Sequence, residues 1–426
     1  MANGFSKEEV VAFEDVLAGF QDALVMSKLV NVYRPGDQTM ERTNDVIWRP
    51  MPYIATSQNR VIGTAVTEKG MTQLSVPSTL GYAKNHTFSL DAKELRDALQ
   101  ENRLGQASAQ RLASDINTAV YTTAAVYGGL VVTRTTASGT FDDVALCDAL
   151  MNERGVPMED RHIVFNSRDY NGMAGNLANR ANLVAGKTLT AYDRANIGMV
   201  AGFDAYKSDT GIRIAATAVA TARTIDTRAA ANNFLVPKAT TTAATGETAN
   251  YDNRFQTITV SSNANFVAGD AFTIAGINSV HAITKRDTGQ PMTFRVVSVG
   301  ASNTLVITPP IISDQGGTDA EEQYQNCVVA STGSATASIT MLNVDATGHN
   351  VFWHKPSIEL IAGRYAVPDN TGAAVMRATT DQGIELVMTK WFDTATFKTR
   401  FTFDTLFGTN VLNTEMAGTL LFSQTP

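Results

Sequence analysis

The chain has 426 residues, of which 44% are hydrophobic and only 18% charged, and its formal net charge is −7. That is enough for roughly two to four domains with cores of their own. The acidic balance argues against a sequence-independent grip on nucleic-acid phosphates and against docking on an anionic membrane.

So few charges point to a surface that ends up largely against other protein. No apolar run reaches the roughly 20 residues a bilayer span requires. The opening MANGFSKEEVVAFED is acidic and has no continuous apolar centre, so no secretory signal is expected and the product is read as cytosolic or assembled in the cytosol. The two cysteines, Cys147 and Cys327, show no CxxC or metal spacing. A single disulfide between them is open, with two buried free thiols in a reducing cytosol the favoured state.

From Ser6 to about Tyr33 the spacing predicts an amphipathic helix. Ser6 can cap it, Glu9 follows three residues later, and Val10, Phe13, Leu17, Phe20 and Leu24 recur at helical steps. Its apolar face needs the rest of the fold or a neighbouring subunit. A strand-like VIWRP lies within Arg42 to Pro52. Tyr53 to Thr87 is polar and rich in Thr, Ser, Gly and Gln, with alternating pieces around Val61-Ile62 and Met71 to Val76. It reads as a long two-stranded excursion, and a lone hairpin is marginal in water, so it should lie on another copy of the chain.

Asp91 to about Gly129 reads as one long helix. Asp91 and Glu94 form a capping-box pair. Ala109, Leu112, Ala113, Ile116, Ala119, Val120, Ala124 and Tyr127 make its apolar stripe. Gly105 marks a bend or register shift, and Gly128-Gly129 ends the helix. At roughly 55 Å it is too long for the core of one compact domain and suits a strut.

An α/β body follows. Leu130 to Thr133 and His162 to Asn166 read as strands, Phe141 to Arg154 and Tyr170 to Ala185 as helices, with a return at Ile197 to Tyr206. From about Ala222 the composition turns to Ala, Thr and Asn. Strands are then expected at Phe255–Val260, Ala271–Ile274, Met292–Val299, Thr304–Thr308 and Ile339–Leu342. Turn residues separate them, which predicts a small antiparallel barrel or sandwich. The α/β text resumes at Asn350, making that region an insertion, and Gly383–Trp391 and Phe397–Phe403 are read as closing strands.

Chemistry-bearing motifs are thin. Ala181 to Thr188 (ANLVAGKT) fits a relaxed phosphate loop, but no strand feeds it and no Asp-ended strand follows for Mg²⁺, so coincidence is the better reading. His349 and His354 lie five apart, which suits neither a helical metal pair nor a zinc finger. No G-x-S-x-G elbow anchors a catalytic triad. The pairs Glu8-Glu9, Asp142-Asp143 and Glu321-Glu322 read as helix-start or solvated loop charges. No catalytic, cofactor-binding or metal-binding residues are expected, and no enzyme activity.

The order of these pieces, with LVMSKLVNVY (Leu24–Tyr33), NDVIWRP (Asn44–Pro50), FNSRDY (Phe165–Tyr170), VAGFDAY (Val200–Tyr206), YDNRFQTITVS, VAGDAFTIAGI, NVFW (Asn350–Trp353) and FDTLFGTNVLNTEMAGTLL, resembles the major capsid proteins of short-tailed temperate bacteriophages. These share the α+β fold of tailed-phage coat proteins and of the herpesvirus capsid floor, with an inserted antiparallel β-barrel domain. The resemblance spans nearly the whole chain. It implies an N-terminal arm and first peripheral strand (1–52), an extended loop (53–87) and a spine helix (88–129). It further implies an axial domain in two parts (130–221 and 346–392), the insertion (222–345) and C-terminal peripheral strands (393–426).

The implied function is a homo-oligomer of pentamers and hexamers forming an icosahedral phage head. Its partners would be itself, a scaffolding protein, a portal protein at one vertex, packaged double-stranded DNA bound without sequence specificity and, optionally, a decoration protein. No cofactor and no membrane enter, and assembly would take place in the host bacterial cytoplasm. Arg60, Glu68 and Lys69 in the extended loop, and Glu247, Tyr251, Asp252 and Arg254 at the insertion loop, are the implied intersubunit contacts. Maturation would shift domains as rigid bodies, with the spine bending near Gly105. The competing class is a nucleotide-dependent enzyme using Gly186-Lys187-Thr188.

Overall fold

The structure, a computed structural model, describes residues 5, 7–34, 46–52, 55–57, 60–66, 68–91, 94, 98–138, 140–179, 197–214, 223–225, 234–313, 317–329, 336–366 and 372–424. The phosphate-loop-like stretch 181–188 and the Ser6 cap lie outside them.

In chain order, helix α1 (Lys7–Ala23) leads to strand β1 (Asn31–Tyr33). Strands β2 (Ile47–Pro50) and β3 (Ser75–Ser78) pair with each other, and β4 (Tyr82–Asp91) precedes helix α2 (Ala98–Tyr127). Next come β5 (Leu130–Thr133), α3 (Phe141–Glu153), β6 (Arg161–Asn166), α4 (Ser167–Asn179), β7 (Met199–Val200) and β8 (Phe203–Ser208). A β-rich stretch follows with β9 (Arg223–Ile225), β10 (Thr240–Thr242), β11 (Thr248–Asn250), β12 (Gln256–Thr259) and β13 (Ala271–Val280). It continues through β14 (Asp287–Val299), β15 (Thr304–Thr308), α5 (Asp319–Tyr324), β16 (Cys327–Val329) and β17 (Ala337–Met341). The chain closes with β18 (Asn350–His354), β19 (Ile358–Ala362), β20 (Ala374–Thr379), β21 (Glu385–Asp393), β22 (Lys398–Val411) and β23 (Ala417–Leu421).

These elements divide into two compact units. The first holds Met1–Ile47, Ser78–Tyr121 and Ile358–Asn410, and the second Trp48–Pro77, Thr122–Ser357 and Val411–Pro426.

The first unit is built on a sheet of order β1-β19-β22-β21-β20, with β4 also paired to β22 over ten residues, Tyr82↔Phe407 to Asp91↔Lys398. Phe13, Val16 and Phe20 of α1, and Leu24 just beyond it, are buried. Phe13 stacks on Phe403 of β22 at 6.5 Å, and Glu9 pairs with Lys390 of β21. From Phe13 onward the apolar face of α1 is therefore covered by its own chain, while Val10 is exposed. The helix ends at Ala23, earlier than expected: Asn31-Val32-Tyr33 turns extended and pairs in parallel with Glu359-Leu360-Ile361. β-Branched and aromatic residues fit a pleated, half-buried surface better than a helix end.

The capping box at the start of the long helix is present, with Glu94 N donating to Asp91 Oδ1 at 2.8 Å and Asp91 N to Glu94 Oε2 at 3.1 Å. The described helix itself begins at Ala98 and is 30 residues long, roughly 45 Å. Its expected stripe is buried from Ala109 to Ala124. α2 runs without a break through Gly105, where a Cβ would stand 2.8 Å from Val16 Cγ2. The glycine thus lets α1 approach α2 closely. At the other end a Cβ on Gly128 would meet Ala124 O at 2.6 Å and Gly418 N at 2.9 Å, so close backbone approach explains the glycine that stops the helix.

In the second unit, a mixed sheet of order β5-β23-β18-β6-β8-β7 is packed by α3 and α4. Val144, Cys147, Met151, Ile163, Phe165, Met173, Phe203, Phe352 and Leu420 form its core. The second sheet is antiparallel with order β12-β15-β14-β13-β17-β9, all its strands falling between Arg223 and Met341. A backbone bridge between Ile225 and Val260 links the β9 edge to the β12 edge and curls this sheet toward the expected barrel. Phe272, Phe294, Met292, Ile274, Leu305 and Ile307 fill it.

Sheet membership separates strands that are neighbours in the chain. β19, β20 and β21 lie in the first unit's sheet, not with β18, and the last strand, β23, lies between β5 and β18 of the second unit. Hydrophobic alternation marks a strand but carries no address for its neighbours.

Candidate intersubunit surfaces

Between β2 and β3 the described residues contain no ladder; the two strands pair only at the loop's base. The long hairpin is thus a strand-based stem carrying an irregular excursion, as Thr, Ser and Gly without a sustained apolar alternation would favour. Val61 to Thr64 is a tight turn, closed by Thr64 N and Thr64 Oγ1 donating to Val61 O at 3.3 Å and 2.8 Å. Gly63 sits third in it at φ +97, the position where glycine is needed. Arg60 and the whole stretch to Val66 are exposed, and Ile62 is 96% exposed at the turn. The closed turn thus holds the Ile62 side chain out in solvent.

The returning limb is tied down. Lys69 pairs with Glu322, and Gly70 N donates to Asp319 Oδ2 at 2.5 Å. Thr72 N donates to Gln323 Oε1 at 3.2 Å, while Gln323 Nε2 and Tyr324 Oη donate to Thr72 O at 3.2 Å and 2.8 Å. Leu74 is buried with Ile312 and Tyr324. All four partners are on α5, a six-residue helix opened by a capping box of Thr318 and Glu321. That box, T-x-x-E at Thr318 to Glu321, was the signal in the sequence that could have located α5. Of the expected contact residues here, Lys69 is engaged within its own chain, whereas Arg60 and Glu68 are exposed.

The second group clusters at the β10–β11 hairpin. Its turn is closed by Ala243 N to Glu247 O at 2.8 Å and Gly246 N to Ala243 O at 2.9 Å, with Gly246 at φ +87. Glu247 is exposed there, and the hairpin is a two-stranded sheet of its own. Such a ribbon is marginal alone and gains from a covering partner. Its stem is held by Asn253, whose Oδ1 accepts from Lys238 N at 3.1 Å and whose Nδ2 donates to Lys238 O at 2.8 Å. Lys238 Nζ lies 4.5 Å from the Tyr251 ring centroid.

Asp252 and Arg254 are engaged within their own chain. Arg254 is buried, holds Asp252 through Nε and Nη2, and donates from Nη1 to Val411 O at 2.7 Å. A buried guanidinium saturated in this way braces the stem internally. A backbone bridge between Ser75 and Asp252 joins this stem to the base of the extended loop.

Two further buried sites escaped the sequence reading because their residues are scattered along the chain. Arg295 of β14 is fully buried; its Nε donates to Gly128 O at 3.3 Å, Nη1 to Gly269 O at 2.7 Å and Nη2 to Thr419 Oγ1. Burial pushes this guanidinium down to about 10, with Asp270 opposing. Beside it, burial and the Arg295 charge push His349 down to about 3. Glu415 Oε1 accepts from Asn326 Nδ2 at 2.7 Å, and its Oε2 lies 3.9 Å from Nη1 of the buried Arg154.

Cys147 and Cys327 are buried free thiols, and burial, with Asp143 and Asp148 adding, raises Cys147. His162, His349 and His354 are buried in the α/β sheet region, while His86 bonds Ser108 at 2.8 Å. Among the described residues no three His, Cys, Asp or Glu side chains gather as a metal site, and no helix is long and apolar enough to cross a membrane.

The described surface thus carries an exposed apolar turn at Ile62 and a two-stranded ribbon, while Arg254 and Arg295 are bonded inside the chain. Residues 1–423 match the family model described as P22 coat protein, gene protein 5, and the chain belongs to that family. It is accordingly a major capsid protein of an icosahedral phage head, with the mixed α+β fold of tailed-phage capsid proteins.

Similar solved structures include one from Mycobacterium phage Che8, at 11% identity over 93% of this chain and 90% of that chain, with a TM-score of 0.46. The capsid structure of cyanophage P-SCSP1u aligns at 11% identity over 94% and 89% of the two chains, with a TM-score of 0.45. The CUS-3 coat protein I-domain aligns at 38% identity over 29% of this chain and 96% of that one, with a TM-score of 0.22.

Proposed function

We propose that copies of this chain assemble, guided by a scaffolding protein, into the pentamers and hexamers of a head that encloses double-stranded DNA, with a portal protein at one vertex. The observation that carries the reading is the family match over residues 1–423. Assembly takes place in the host bacterial cytoplasm, the DNA is held without sequence-specific contacts, and a decoration protein is an optional outer partner. The role is structural, not catalytic. Residues 1–52 serve as N-arm and first peripheral strand, 53–87 as extended loop, 88–129 as spine and 222–345 as the inserted barrel. Heterologous contacts that close into rings suit loops and hairpins that find no complete partner in their own chain.

Within this reading the exposed turn at Ile62 and the ribbon tip at Glu247 face neighbouring copies, together with Arg60 and Glu68. The test is sedimentation velocity with negative-stain imaging of the chain, alone and with scaffold, for wild type and Ile62→Asp. Shells from wild type and free subunits of unchanged fold from Ile62→Asp are expected. A wild-type chain that stays monomeric with scaffold would sink the reading.

A further inference from the structure

The tie between the loop's returning limb and α5 has two halves of different physical character. The outer half is electrostatic and wet: Lys69 and Glu322 pair with side chains 30% and 42% exposed, and Gly70 N reaches the Asp319 carboxylate. A Cβ on Gly70 would stand 2.8 Å from Asp319 Oδ2, so a larger residue there would require the carboxylate to shift. The inner half is neutral and part-buried. Thr72 is gripped by Gln323 and Tyr324 at both its N–H and its carbonyl, and Leu74 is buried beyond it. Met71, which separates the halves, is itself exposed.

We propose that α5 is a clasp that sets the pose in which residues 60–66 are presented to a neighbouring copy, and that its outer half opens while its inner half stays shut. The proposal rests on the reading that this loop contacts a neighbour. An exposed ion pair is weak and salt-sensitive, whereas three neutral hydrogen bonds beside a buried leucine are neither. The limb can therefore release at Lys69-Gly70 and pivot about Thr72 without unfolding the barrel. The inserted region thereby gains a role in steering the loop, distinct from any contact its own surface makes.

The test uses the full chain in three forms besides wild type: Lys69→Glu, Glu322→Lys and the double exchange. Amide exchange is measured across residues 60–74 on unassembled chain, and assembly with scaffold is followed by light scattering. Each single variant is expected to exchange about two- to five-fold faster at residues 68–71, the range an exposed pair supports, with unchanged protection at Thr72 to Val76. Assembly should slow alongside, chemical unfolding midpoints should stay put, and the double exchange should restore both readouts.

Unaltered exchange in both single variants would overturn the clasp. Faster exchange with wild-type assembly rates would overturn its role in presentation, as would a double exchange that restores neither readout. A wild-type chain that builds no shells would refute the assembly reading instead, and the exchange comparison, made before assembly, would still decide the clasp.

Discussion

Arg254 grips Asp252, its neighbour two residues back, with Nε 2.9 Å from Oδ1 and Nη2 2.8 Å from Oδ2, while Nη1 reaches Val411 O at 2.7 Å. The pair ties the stem of the β10–β11 ribbon to the segment that leads into the final strand. Charge at Asp252 and Arg254 thus braces the subunit internally, whereas Glu247 at the ribbon tip is exposed.

Arg254→Ala should therefore weaken the isolated subunit. Losing charge-assisted bonds and leaving a half-buried carboxylate unmatched costs about 1–3 kcal/mol. Glu247→Ala, at an exposed turn, should change stability by no more than about 0.5 kcal/mol. Urea unfolding of unassembled chain separates the two, and equal midpoints would show that Arg254 does not brace the stem.

Gly105→Ala sets two effects against each other. Alanine favours a helix interior over glycine by about 1 kcal/mol, but a methyl pressed onto buried Val16 costs about 1–3 kcal/mol. Val16 is 2% exposed and cannot swing aside into solvent. The net effect should be destabilising by about 1 kcal/mol, and adding Val16→Ala should relieve the clash, leaving only that substitution's own loss of burial. A double-mutant cycle by chemical denaturation measures the coupling, and a coupling of zero would refute the contact.

Acid should destabilise the subunit in part through His349. Its folded pKa lies at about 3, below the unfolded value of about 6.5, so the unfolded chain binds the extra proton. The stability is fully present above about pH 6.5 and is lost as pH falls toward the folded value, by up to about 1.4 kcal/mol per pH unit. His349→Gln should flatten that slope relative to wild type between about pH 6 and about pH 4, whatever it costs at neutral pH. Unfolding midpoints measured across that window provide the check. Identical slopes would exclude the histidine.

Arg295→Met should be more damaging than any surface change. It would leave the Gly128 and Gly269 carbonyls without the donors that now reach them in a fully buried setting, a loss of about 3–5 kcal/mol. Arg295→Lys should recover only part of this, because one ammonium cannot reproduce the fork. Soluble yield and thermal midpoint of the two variants, ranked against wild type, test the order.

Much of the architecture was legible in local pattern. The stripe from Ala109 to Ala124, the Gly128-Gly129 stop and the strands now labelled β12 to β15 could be read from spacing, whereas the phage-coat reading came from the resemblance of the quoted stretches. Helix periodicity, turn residues and alternation are encoded by near neighbours, so the sequence by itself determined many of the elements, and the resemblance of its quoted stretches pointed to the family. What it left open depended on residues far apart in the chain.

Only the tertiary structure decided that β23 slots between β5 and β18, that Gly105 exists for Val16, and that Lys69 answers to Glu322 some 250 positions away. It also decided that Arg254 turns inward and that Arg295 is the buried donor for two carbonyls. Strand partnership and charge pairing are set by burial and by competition among many alternative partners. A short-range pattern names the groups that must be satisfied, and only the folded chain determines which distant group satisfies them.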